Sequence, residues 1–96
     1  MDQLIILFYT SVMCMNCTSY LDTVKRAVVT ANVDNCCEIR VIDVTEDPPY
    51  QVRGITKIPS LILVDEMGEE ITRKNGYTSV TKVVEWLQYN KPSKNY

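Results

Sequence analysis

The residues of this chain best placed to do chemistry are two cysteines three apart, in the run Cys14-Met15-Asn16-Cys17. They follow the apolar run Leu4-Ile5-Ile6-Leu7-Phe8, and a helical pattern begins at once after them. If the apolar run is a strand, the pair lies on a strand-to-helix turn with Cys14 at the helix start. Unpaired N–H groups and the positive end of the helix dipole favour a thiolate there. Thiols at i and i+3 on such a turn come close enough to form a disulfide. An ionised attacker with a second thiol to resolve what it captures is the minimum apparatus for dithiol–disulfide exchange. In that reading Cys14 attacks, and Cys17, one turn into the helix and less exposed, resolves.

The chain has no histidine, so no imidazole can act as general base. A nearby cation would have to help hold the thiolate. Lys57 is the best placed by sequence, and a solvated loop lysine is its plainer reading. Asn16 either donates a hydrogen bond to a cysteine sulfur or simply opens the helix. Cys36 and Cys37 are adjacent, and a disulfide between neighbours forces a strained ring, so two free thiols are expected. Cys37 should pack, while Cys36 lies in a turn, open to oxidation. Four cysteines could also hold zinc, but the second pair lacks the two-residue spacer and a helix separates it from the first. No metal is expected.

The elements that must position these residues can be read from periodicity. Gln3 to Tyr9 is short, nearly all apolar and flanked by polar residues, as a central parallel strand would be. Tyr20, Leu21, Val24, Val28 and Ala31 fall at helical spacing, predicting a helix from about Met15–Asn16 to Ala31, with a turn at Asn32–Asn35. Cys37 to Val44 alternates: Ile39 and Val41 share one face, Glu38 and Arg40 the other, as on a guarded sheet edge. Strand, helix and strand in sequence suggest a right-handed unit with parallel strands. A short helix could run from Thr45 through Arg53, ended by Gly54. Ser60 to Val64 and Glu69 to Lys74 read as strands joined by a hairpin turn at Asp65–Gly68. Gly76 breaks the second of these. Val80, Val83, Val84 and Leu87 mark a last amphipathic helix, with Thr78 or Ser79 as its N-cap and Trp86 partly buried on it. The order is βαβαββα.

Size and composition set the outer limits. At 96 residues, 46% hydrophobic and 23% charged, the chain is ordinary globular material. One domain over 1–90 is expected, followed by a polar tail, Lys91 to Tyr96. A net charge of −2 argues against a general nucleic-acid binder. No basic region precedes the short run Leu4–Phe8 and no small-residue cleavage site follows it, so no export signal is read. No stretch is long enough to span a membrane. The cytoplasm is the expected location, where a CxxC pair more often means redox chemistry or metal than a structural staple. A monomer is expected.

On these residues the chain resembles the thioredoxin/glutaredoxin superfamily. Cys14-Met15-Asn16-Cys17 stands between the first strand and a helix. The segment Ile58-Pro59-Ser60-Leu61-Ile62-Leu63-Val64 is similar to the family's Ile-Pro-Thr segment, and the loop Asn75-Gly76-Tyr77 lies before the last helix. The resemblance covers essentially all of the chain but the tail. It implies an α/β thioredoxin fold: a four-stranded mixed sheet in βαβαββα order, flanked by helices. It also implies a cis Pro59 facing the cysteines, with the Ile58 backbone left to pair with an extended substrate. Met13, Gly76 and Tyr77 would join Ile58 and Pro59 as the substrate-binding surface, with Tyr9 on the same rim.

The activity that the resemblance implies is reduction of protein disulfides, with a ribonucleotide reductase or general protein disulfides as the electron acceptors. No tightly bound cofactor is needed beyond the Cys14–Cys17 disulfide itself. A flavoprotein reductase or glutathione would recharge it. The chain departs from the family pattern in several places. The extra leading strand and helix of thioredoxins is absent, so the chain is glutaredoxin-sized. Met15-Asn16 replaces the usual dipeptides, Met13 stands where a tryptophan precedes the motif, and Phe8 takes the place of a buried aspartate. Of a double-glycine glutathione signature only Gly76 remains, though Lys57 and Arg53 could still hold a carboxylate. A glutathione-dependent glutaredoxin, or a non-catalytic interaction module on the same fold, are the alternative readings.

Overall fold

The computed structural model describes residues 3–46 and 53–90. Six elements lie within them: β1 (Leu4–Thr10), α1 (Cys17–Thr30), β2 (Cys37–Asp43), β3 (Ser60–Asp65), β4 (Glu70–Asn75) and α2 (Val80–Asn90). The short helix expected from Thr45 and the polar tail fall outside them, save that Thr45, Glu46 and Arg53 stand in turns.

The strands form one mixed sheet in the order β2-β1-β3-β4. β1 runs parallel to β2, with Leu4 opposite Cys37 and Thr10 opposite Asp43. It runs antiparallel to β3, which in turn pairs antiparallel with β4. Central position explains the composition of β1. Side chains alternate across a strand, and a strand covered on both faces must be apolar throughout. Leu4, Ile6 and Phe8 enter one core with Leu61, Leu63, Tyr20, Val24, Ala27, Val83 and Leu87. Ile5, Leu7 and Tyr9 enter a second, with Ile42, Ile62 and Val64. Both helices pack over the first face and against each other.

β2 is an edge strand, as its charges suggest. Glu38 and Arg40 pair on it at 2.7 Å. Edge position also leaves Val41 52% exposed, although it shares a face with buried Cys37. α1 begins at Cys17, one to two residues later than periodicity indicates, because Cys14 to Asn16 still belong to the turn. It ends in a Schellman motif. Asn32 takes a φ of 62°, its N–H bonds to the Val29 carbonyl at 3.0 Å, and the Val33 N–H bonds to Val28 at 3.2 Å. The Asp65–Gly68 hairpin turn is held by Asp65 Oδ1, which accepts from the Met67 and Glu69 N–H groups at 2.9 Å each.

Candidate active site

The cysteine turn hangs between β1 and α1. The Cys14 N–H bonds to the Ser11 carbonyl at 3.0 Å, and the Met13 N–H to the Ser11 hydroxyl at 3.1 Å. Asn16 occupies the N-cap position, but its side chain makes no capping bond, and the first turn of α1 carries no acidic residue. The positive end of the helix therefore faces the cysteines without a carboxylate to compete. Cys14 and Cys17 are bonded, S–S 2.09 Å, with Cα atoms 5.5 Å apart. Their surroundings differ. Cys17 is 4% exposed within the helix-covered core, whereas Cys14 is only half-buried at its edge. Only the Cys14 sulfur is open to a bulky reactant.

A second loop closes over this turn. The Ile58–Pro59 peptide is cis, and Pro59 is fully buried. The Gly76 N–H donates to the Pro59 carbonyl at 2.8 Å, which ties the end of β4 to the start of β3. The Ser60 hydroxyl, itself buried, donates to the Lys57 carbonyl at 2.6 Å. Gly76 has a φ of 80°, and a Cβ there would lie 3.2 Å from Lys57 Cδ, so the lysine stem crosses directly over the glycine. The next residue, Tyr77, reaches the cysteines: its hydroxyl lies 3.8 Å from Cys14 Sγ. The Tyr77 ring stands edge-on to Tyr20 at 5.5 Å, and Tyr20 in turn packs on Phe8 at 5.9 Å. Beside Tyr77 opens a cleft of about 390 Å³, lined by Asn16, Ser19, Tyr20, Thr23 and Thr78.

Thus Pro59, Gly76, Tyr77 and Cys14 form a connected series, and Ile58 is half-buried against both cores. Met13 stands 80% exposed, flanked by Val12 at 70% and Met15 at 94%, an apolar fringe around the accessible sulfur. Two other residues make their contacts elsewhere. Tyr9 is fully buried in the second core, because β1 alternation points it away from the helices; burial raises its hydroxyl pKa. Arg53 donates to the Gly68 carbonyl at 3.1 Å, in the turn that joins β3 to β4. The contact of Tyr77 with the Cys14 sulfur was not legible from sequence. Nothing in Asn75-Gly76-Tyr77 marks the phenol as anything but rim surface, since the two partners are joined only by tertiary packing.

Cys36 and Cys37 are free thiols at the far end of β1, where the Leu4 N–H bonds to the Cys36 carbonyl at 2.8 Å. β1 has seven residues. At about 3.3 Å per residue that places the two cysteine pairs roughly 20 Å apart. Among the described residues no group of three or more metal-ligating side chains converges.

No family model matches the chain, and no curated protein matches it. Solved structures do. Thioredoxin-2, a component of the malaria parasite protein secretion machinery, superposes with a TM-score of 0.74 at 13% identity, covering 93% of this chain and 84% of that one. Deadhead, a germline-specific thioredoxin of Drosophila melanogaster, gives 0.74 at 17% identity over 92% and 81%. The Fasciola hepatica thioredoxin gives 0.73 at 20% identity over 93% and 82%. This chain has the thioredoxin fold. Within that fold the Cys14–Cys17 pair, at bonding distance on the β1–α1 turn, fits a redox-active disulfide.

Proposed function

We propose that this chain is a thiol–disulfide oxidoreductase that reduces protein disulfides through Cys14 and Cys17. The observation that carries the reading is the asymmetry of the pair: one accessible sulfur bonded to one buried sulfur at an uncapped helix start. In the reduced protein the Cys14 thiolate attacks one sulfur of a substrate disulfide. The Cys14–substrate bond forms, the substrate S–S bond breaks, and the departing thiolate takes a proton from water. Cys17 then loses its proton and attacks Cys14 Sγ, which releases the second substrate thiolate. The substrate gains two electrons and the Cys14–Cys17 pair loses two. A thiol reductant must restore the pair, either the dithiol of a flavoprotein disulfide reductase or two molecules of glutathione, which leave as glutathione disulfide.

The fringe of Val12, Met13 and Met15 supports a protein substrate, since exposed flexible apolar side chains adapt to varied partners. Ile58, Pro59, Gly76 and Tyr77 are the proposed binding surface, with the backbone at Ile58 pairing with an extended substrate segment. Lys57 is the proposed cation at its margin. A ribonucleotide reductase is one proposed acceptor, on the resemblance alone. The cytosol is the proposed compartment, in keeping with two thiols left unpaired.

Insulin disulfide reduction with dithiothreitol tests the reading. Wild type should accelerate it, and Cys14→Ser should abolish the acceleration. Cys17→Ser should instead accumulate a mixed disulfide visible by mass spectrometry. Equal rates for wild type and Cys14→Ser would leave the chain as a non-catalytic module. Recharging by glutathione with its reductase, against a thioredoxin reductase, separates the two electron sources.

A further inference from the structure

The chain lacks several ways of holding a thiolate. It has no histidine, and Phe8 sits fully buried behind the cysteines, where no carboxylate can relay a proton. The contact seen for the Lys57 side chain is its aliphatic stem over Gly76. The groups seen in contact with Cys14 Sγ are Cys17, bonded to it, and the Tyr77 phenol. Among the described residues, Tyr77 is the side chain whose donor reaches this sulfur, at 3.8 Å. A disulfide sulfur carries no proton, so the phenol must donate.

We propose that the Tyr77 hydroxyl is a hydrogen-bond donor to the Cys14 thiolate, holding the attacking sulfur ionised in the reduced protein. The inference rests on the dithiol-exchange reading and adds a residue to it. Three observations make the contact a built one. Gly76, at a φ of 80° and bonded to the Pro59 carbonyl, sets where the chain turns toward the cysteines. Tyr20, 4% exposed, presents its ring to the Tyr77 ring at 5.5 Å and 70°, an edge-on arrangement that fixes the phenol's direction. Phe8 backs Tyr20 from the central strand. The phenol is thus braced through two aromatic rings on the sheet. Reduction turns a weak acceptor into an anionic one, and a hydrogen bond to the charged form favours that form. The donor contributes more in the reduced state than in the oxidised state, so it should also make the disulfide easier to reduce.

Alkylation of reduced protein by iodoacetamide across a pH series, followed on the Cys14 peptide by mass spectrometry, reads the thiolate without any substrate or reductase. A failure of the oxidoreductase reading would show in insulin turnover and leave this measurement intact. Tyr77→Phe keeps the ring against Tyr20 and removes only the donor. Its alkylation midpoint should rise by about half a unit to one unit, slowing alkylation about three- to tenfold below the midpoint. Its disulfide should also need a more reducing glutathione mixture to open. Placing 3-fluorotyrosine at position 77, a stronger donor, should move the midpoint down. A folded Tyr77→Phe protein whose midpoint coincides with wild type overturns the proposal. Should that variant not fold, an unmoved midpoint with 3-fluorotyrosine does so instead.

Discussion

The four cysteines of this chain end in different chemical situations, and burial and bonding distinguish them. Cys14 keeps an accessible sulfur, while Cys17 is bonded to it from inside the core. Cys37 is buried at the edge strand, where desolvation first, and then the nearby Cys36 and Glu38, push its pKa from 9.0 up to about 12. Such a thiol stays protonated and inert at neutral pH. The shift also has a stability consequence. The unfolded chain releases this proton near pH 9 and the folded chain only near pH 12, so the stabilisation is intact below 9.0 and is lost as the pH climbs toward 12. Between those values the stability of wild type should fall with a slope approaching about 1.4 kcal/mol per pH unit from this group. Urea unfolding at pH 8, 9 and 10 should show that fall, and Cys37→Val should flatten it. Tyr9 and Tyr20, both raised by burial, act in the same direction but from a higher starting value of 10.0.

Element ends do much of the positioning. α1 starts without a side-chain cap, which leaves its first N–H groups directed at the cysteine turn. α2 starts the opposite way: the Lys82 N–H bonds to the Ser79 hydroxyl at 3.2 Å. Ser79 stands two residues beyond Tyr77, so this cap also anchors the loop that carries the phenol. Ser79→Ala should cost about 1 kcal/mol, lowering Tm by about 4–8 °C. Ser79→Asp, which can cap as well, should recover most of that loss by thermal circular dichroism. The two helix starts thus differ: Ser79 caps α2, whereas the α1 start beside the Cys14–Cys17 pair has no side-chain cap.

At the scale of the whole molecule, the sheet is the frame that brings distant sequence segments to one edge. β1 ends at the cysteine turn, and β3 begins beside it at Pro59 because the two strands are antiparallel. β4 returns to the same end and delivers Gly76 and Tyr77. The site therefore depends on the core that fixes the strand order. Leu63 is fully buried in β3 and packs into the helix-covered core. Leu63→Ala should cost about 2–5 kcal/mol, enough to lower Tm by at least about 8 °C. Differential scanning calorimetry checks this, and insulin reduction below the new Tm should persist, since no contact at the cysteines is removed.

Local pattern determined the elements and the reactive pair. The pairing of the proline segment with Cys14-Met15-Asn16-Cys17 came from the family resemblance alone; alternation marked β2 as a guarded edge, the apolar run marked β1 as central, and helical spacing marked both helices. These are short-range properties, set by side-chain periodicity and backbone preferences. What lay outside local pattern was decided by packing between segments far apart in the chain. Packing of Ile42, Ile62 and Val64 on the second sheet face buried Tyr9 there. Arg53 met a carbonyl of the turn that joins β3 to β4, and edge position left Val41 in solvent. The two cysteine pairs, both able to bind metal as isolated sequence, were placed at opposite ends of β1. Above all, the phenol of Tyr77 meets the sulfur of Cys14 only because β3 and β4 close against β1, a distance that no spacing along the chain encodes.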